Sequence, residues 1–239
     1  MRLCKRCGLA LVLVVWVLLI PSGSHAQTDV TCDDLGPPGV PPEYFVGVGN
    51  AFYDQGEYAL TVVAYTCAID LDGTYALAYV NRGFAYVTQR DDAAAMADYN
   101  RALEIDEALV AAYNNRGMLY MSQGNFGLAI NDFTLTVALN PDYAVGYHNR
   151  GLVHAAEGNY DLAITDFEQA MALDPAYAAP YASLGAVYSA LSLNSYQQYT
   201  DMVQARLPGG EPDTIFNALD ASQASGNFTI WLAFLTPAY

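Results

Sequence analysis

The sequence predicts an all-α protein: a right-handed α-solenoid of stacked helix–turn–helix units, closed by a C-terminal capping segment. Three observations carry this. The tripeptides Asn81-Arg82-Gly83, Asn115-Arg116-Gly117 and Asn149-Arg150-Gly151 recur at a fixed interval of 34 residues, the signature of a repeat array. Other columns keep the same register. Gly49 and Gly185 extend the glycine column by one period at each end. Aromatics precede each glycine by four residues (Phe45, Tyr79, Tyr113, Tyr147, Tyr181), and Phe52, Tyr86, Tyr120, His154 and Tyr188 follow it by three. Tyr65, Tyr99, Phe133 and Phe167 form a further aromatic column, and Pro141 and Pro175 close the third and fourth units. Thirdly, each unit divides into two amphipathic stretches around a polar turn, so that no unit can bury its apolar stripe alone and neighbours must stack.

Composition narrows the function classes. The 239 residues are 54% hydrophobic and only 14% charged, which is a folding rather than a disordered composition. The net charge is −16, with Lys5 the single lysine. Phosphate neutralisation needs clustered Lys and Arg, so nucleic acid is excluded as the main partner, and so is docking on an anionic membrane surface.

Residues 1–26 have the pattern of an export signal. Arg2, Lys5 and Arg6 form a positive start, Gly8 to Ile20 is an uninterrupted apolar run, and Ser24-His25-Ala26 supplies a small-x-small cleavage pattern. The rival is an uncleaved anchor, but 13 apolar residues fall short of the roughly 20 that span a bilayer. Cleavage after Ala26 leaves six basic against 25 acidic residues, a net charge of −19, and places the protein outside the membrane as a secreted, periplasmic or envelope protein. Cys4 and Cys7 leave with the signal. Cys32, in an N-terminal arm over 27–41, and Cys67 remain; in an oxidising compartment they are expected to pair, the alternative being two free thiols.

The array runs over 42–207, in units 42–75, 76–109, 110–143, 144–177 and a degenerate 178–207. The internal turns are Asp54-Gln55-Gly56, Gln89-Arg90-Asp91, Gln123-Gly124-Asn125 and Glu157-Gly158-Asn159. Three carry a glycine suited to a left-handed helix C-terminus. The column glycine of each first helix costs about 1 kcal/mol against Ala, a cost consistent with close helix–helix approach. In the fifth unit Gln197 and Asp201 stand in the Ala and Phe columns.

These columns resemble the tetratricopeptide repeat family, whose aromatic–x–x–Leu–Gly–x–x–Tyr … Ala–x–x–x–Phe … Pro pattern is matched over about residues 42–207. The resemblance implies a non-catalytic scaffold that binds proteins or peptides on its first-helix face. It also implies a ligand-facing set: Val46, Asn50 and Tyr53; Val80, Phe84 and Val87; Asn114, Met118 and Met121; His148, Leu152 and Ala155; with Ala182, Ala186 and Ser189 in the last unit. This set is largely apolar. It reads as a groove for an apolar or aromatic peptide, as a groove filled by the protein's own tail, or in part as core.

Comparing the units with each other singles out a structural pair. Arg82, Arg116 and Arg150 occur with Asp98, Asp132 and Asp166, sixteen residues on; unit one has Val48 and Ala64 at these columns and unit five Leu184 and Thr200. Arg and Asp thus occur together or not at all, which implies ion pairs within one unit: Arg82–Asp98, Arg116–Asp132 and Arg150–Asp166. Half of the six arginines beyond residue 26 are then committed. Some relatives grip a ligand's terminal carboxylate with basic residues, and this chain lacks the lysines for that clamp.

The tail follows a Pro208-Gly209-Gly210-Glu211-Pro212 linker. Asp213 or Thr214 is placed to cap a helix to about Ser225, and residues 228–235 are apolar but for Thr229. Too short to span a bilayer, this stretch over 208–239 is expected to bury itself on the array or in another copy, making a homo-oligomer.

No catalytic constellation is present in the sequence. His148 and His154 are six residues apart and do not share a helix face. Asp70-Leu71-Asp72-Gly73 resembles part of a calcium loop, but Asn81 stands where the closing Glu belongs. Asn227-Phe228-Thr229 is a glycosylation sequon in a host that glycosylates exported proteins. No cofactor and no metal are expected. The reading is an exported protein–protein interaction scaffold, the alternative a self-associating envelope protein whose tail fills a groove.

Overall fold

A computed structural model describes residues 30–206; the stretch with the export-signal pattern and the tail both lie outside this range. The described residues are all helical. A short α1 (Cys32–Leu35) precedes α2 (Pro42–Asp54), α3 (Tyr58–Leu71), α4 (Ala76–Thr88), α5 (Asp92–Ile105), α6 (Val110–Ser122), α7 (Phe126–Leu139), α8 (Ala144–Ala156), α9 (Tyr160–Leu173) and α10 (Ala178–Arg206). Helices begin at 42, 76, 110, 144 and 178, one per sequence period.

Local chemistry sets the boundaries. Gly56, Gly124 and Gly158 hold φ of 76°, 74° and 79°, the left-handed conformation that ends a helix at no steric cost when no Cβ is present. The following amides donate back five residues, Glu57 N to Phe52 O at 2.9 Å and Asn159 N to His154 O at 2.8 Å, closing Schellman turns. Arg90 takes the same place with φ 64°. Between repeats, Asp72 Oδ1 accepts from Thr74 N at 2.9 Å, and Asp106 and Asp174 each accept from the amide two residues on at 3.0 Å. The calcium-like fragment is therefore an ordinary Asx turn, and among the described residues no cluster of three or more metal-ligating side chains occurs.

The fifth unit departs from helix–turn–helix: α10 runs unbroken for 29 residues. The cause is visible in the turn column. Where the other units have Gly56, Arg90, Gly124 and Gly158 among polar residues, this one has Ser192 in place of the glycine, with Leu191 and Leu193 on either side of it.

The chain divides into two compact units between Arg116 and Gly117. In the first, α2 packs on α3, α3 on α4 and α4 on α5. Phe45, Val48 and Phe52 of α2 meet Leu60, Ala64 and Tyr65 of α3, with Ala78 and Ala85 of α4 behind them. α1 is fastened to α3 by Cys32 and Cys67, whose Cα atoms are 5.5 Å apart with the sulfurs at bonding distance. In the second unit α8 packs on α7 and α9, and α9 on α10. Phe133 and Phe167 are fully buried there, against Val153 and Val187 respectively.

The column glycines explain this close approach. A Cβ on Gly83 would lie 2.7 Å from Tyr99 Cε1, and one on Gly151 2.7 Å from Phe167 Cε1, closer than real Cβ contacts allow. Each ring takes the space that a Cβ would need.

Candidate protein-binding face

The Arg and Asp columns frame the first helices. Arg82 donates from Nε and Nη2 to the two oxygens of Asp98, both at 2.8 Å, and from Nη1 to Thr66 Oγ1 at 3.0 Å. It thereby ties its own repeat to the one before. The guanidinium also lies over the Tyr79 and Tyr86 rings, at 5.5 and 5.9 Å, so the column aromatics serve as its stacking platform. In the second unit Arg150 grips Asp166 through the same two-pronged contact, at 2.9 and 2.7 Å, and stacks on Tyr147. These hydrogen bonds hold both guanidinium groups above their ordinary pKa. Arg116 and Asp132 fall on opposite sides of the division between the units. Arg116 donates to Asn100 Oδ1 at 2.7 Å, stacking on Tyr113, and Asp132 is buried.

The ligand-facing set separates by depth. Its first member in each of the first four repeats is buried: Val46 and Val80 in the first unit, Asn114 at its end, His148 in the second. Its second member is the accessible one. Asn50 is exposed, Phe84 is 36% exposed, and Met118 and Leu152 are half-buried. Of the third, Tyr53, Val87 and Met121 are half-buried and Ala155 is buried. In the last repeat Ala182 and Ser189 are exposed and Ala186 is half-buried.

In the first unit the accessible members converge. The Tyr53 ring lies 5.4 Å from Phe84 and 5.3 Å from Tyr58, both of which are partly exposed. Asn50 Oδ1 accepts from Tyr65 OH at 2.7 Å, a bond that orients the amide at the edge of this cluster; desolvation pushes the Tyr65 phenol up to about 12. Tyr58 was missed by the sequence reading because it starts a second helix. The signal was nevertheless present, since Phe126 and Tyr160 repeat an aromatic at its column. In the second unit, Met118, Met121, Phe126 and Ile130 lie half-buried around Phe133.

His148 belongs to the core. Its Nδ1 meets Tyr177 OH at 2.8 Å and its Nε2 meets Ser183 Oγ at 3.0 Å, while the ring packs on Phe167 and Tyr177. Burial pushes its pKa down to about 4, so at neutral pH it is an uncharged donor–acceptor bridging α8 to α10. His154 stands 3.9 Å from Asp166 through Nε2, and its buried Nδ1 has no hydrogen-bond partner among the described residues.

The fold and this face define a helical-repeat scaffold. Family models described as "TPR repeat" match residues 49–89, 91–124 and 154–192, and one described as "Tetratricopeptide repeat" matches 110–143. The chain belongs to the tetratricopeptide repeat family, whose arrays are protein–protein interaction scaffolds. A comparison with curated proteins finds no match. Among solved structures the chain resembles two crystal structures of MamA, at 25% identity and TM-scores of 0.52 and 0.51. It covers 56% of this chain in both, and 78% and 73% of the MamA chains. A double mutant, MamA RS-1 ArsTM, matches at 19% identity with a TM-score of 0.50 over 56% of this chain and 75% of its own. Among the described residues no helix is long and apolar enough to cross a membrane.

Proposed function

We propose that this protein is exported and binds an apolar or aromatic peptide segment along its first-helix face. The supporting observation is the Tyr53–Phe84 ring pair, half open to solvent beside Tyr58 and Val87. Rigid aromatic surface of this kind is what binding hot spots are made of. The second unit by itself offers the same chemistry in Met118, Met121 and Leu152, where unbranched Met side chains adapt to a ligand's shape. Arg82 and Arg150 of the first helices are held by Asp98 and Asp166, so recognition rests on apolar burial and responds weakly to salt. Nucleic acid does not fit a chain of net charge −16.

Export supplies the oxidising setting in which Cys32 and Cys67 bond and pin the N-terminal arm to the first repeat. N-terminal sequencing of the exported protein is expected to begin at Gln27. For binding, selection of peptides against the purified chain is expected to return apolar and aromatic segments whose affinity falls at least tenfold with Phe84→Asp.

A further inference from the structure

The glycine column of α10 lacks its ring. In the four preceding repeats the glycine is buried beneath an aromatic ring of the following helix: Tyr65 on Gly49, Tyr99 on Gly83, Phe133 on Gly117 and Phe167 on Gly151. At Gly185 no packed neighbour among the described residues, beyond its own turn of helix, lies within 4 Å of the place a Cβ would take. The aromatics on either side share this exposure. Tyr181 is 46% and Tyr188 49% exposed, whereas Tyr147 and His154, their counterparts one repeat earlier, are half-buried. Leu191-Ser192-Leu193 stands where the other units turn, so among the described residues no second helix folds back to supply the missing ring. What is left is an uncharged strip of Tyr181, Gly185, Tyr188 and Ser192, shaped by the repeat to accept an aromatic side chain.

We propose that residues 228–235 of the same chain seat on this strip and place an aromatic ring over Gly185. The segment holds Phe228, Trp231 and Phe234, with Thr229 its one polar member, and carries no charge, as the strip carries none. Its reach fits. Gly185 lies 21 residues before the end of α10, about 32 Å at helical rise. The Pro208-Gly209-Gly210 linker supplies the reversal. A return at the same rise from residue 213 then brings Trp231 level with Tyr188 and Phe234 level with Gly185, to within about one helical turn. The docking does not depend on what the ligand-facing column binds. The mean direction of Tyr181, Gly185, Tyr188 and Ser192 is about 100° around α10 from that of Ala182, Ala186 and Ser189.

Trp231 makes the test direct, because Trp16 is the only other tryptophan in the chain. In the full chain carrying Trp16→Phe, the indole is expected to emit as a buried group and to resist acrylamide, unchanged on dilution. Gly185→Leu occupies the ring seat without disturbing α10, since nothing packs there and Leu favours the helix. It is expected to red-shift the emission and raise acrylamide quenching several-fold at unchanged helix content. Phe234→Ala, which leaves α10 untouched, is expected to do the same, and Ala182→Leu, on the ligand-facing column, to leave both readouts as they were. Water-exposed emission in the parent overturns the proposal. So does protection that survives both Gly185→Leu and Phe234→Ala. Sensitivity to Ala182→Leu in place of Gly185→Leu also overturns it, by putting the tail in the groove. Protection lost on dilution overturns it too, by making a second copy the donor.

Discussion

The Arg82 guanidinium holds the Asp98 carboxylate by two parallel hydrogen bonds of 2.8 Å, with the two side chains 17% and 8% exposed. Removing one partner strands the other. Arg82→Val or Asp98→Ala alone is expected to cost about 3 kcal/mol, the range for a well-buried pair broken from one side. The double variant recreates Val48 and Ala64, which fill the same columns of the first repeat as buried apolar residues. It is expected to cost well under the sum. Denaturant unfolding of the four proteins in the cycle checks this; additive losses would mean the two groups do not stabilise each other.

The glycine column predicts a loss where helix propensity alone predicts a gain. Gly83→Ala gains about 1 kcal/mol as a helix former. However, it pushes a methyl to 2.7 Å from Tyr99 Cε1, and Tyr99 is fully buried and cannot retreat. Overpacking of this kind costs about 1–3 kcal/mol, so a net fall in stability is expected. A raised melting temperature would contradict it.

Arg90 offers the opposite case. It holds φ 64° at the turn where three other repeats place glycine. A side chain in the left-handed region costs about 1–2 kcal/mol, so Arg90→Gly is expected to stabilise the protein by about 1 kcal/mol despite the added freedom of the unfolded chain. Thermal unfolding would show this as a rise of a few degrees.

His148 sets an acid limit. Its pKa falls from 6.5 to about 4 on folding, because burial disfavours the cation. The folded state therefore binds fewer protons than the unfolded one between these values. The stability this contributes is complete above about pH 6.5 and is lost as pH falls towards 4, in total on the order of 3 kcal/mol. His148→Gln keeps hydrogen-bonding capacity toward Tyr177 and Ser183 without the titration. It is expected to lose less stability than the parent between about pH 7 and pH 5; parallel losses would assign the effect to other groups.

The repeat fold was legible in the sequence because its determinants are local and periodic: a glycine every 34 residues, aromatics at fixed offsets, polar turns between. Depth was harder to read. Val80 and Phe84 are four residues apart on one helix stripe, yet Val80 is buried and Phe84 is open, since the neighbouring helix covers one end of the stripe before the other. His148 stands in the ligand-facing column of the sequence, and its burial depends on Tyr177 and Ser183 reaching it from outside its own helix, a contact that no helical spacing encodes. The continuous α10 was foreshadowed only by what Leu191-Ser192-Leu193 lacks. Tyr58 gained its place beside Tyr53 from a turn that brings two helices together.

The proposed peptide binding rests on the aromatic cluster of Tyr53, Tyr58 and Phe84. The most direct measurement is calorimetric titration of a selected apolar peptide into the parent chain and into Phe84→Asp, at low and at high salt, with circular dichroism to show that both are folded. The account predicts parent binding that changes little with salt, a negative heat-capacity change from apolar burial, and at least a tenfold loss in the variant. Equal binding by the two folded proteins, or binding that disappears in salt, would contradict it.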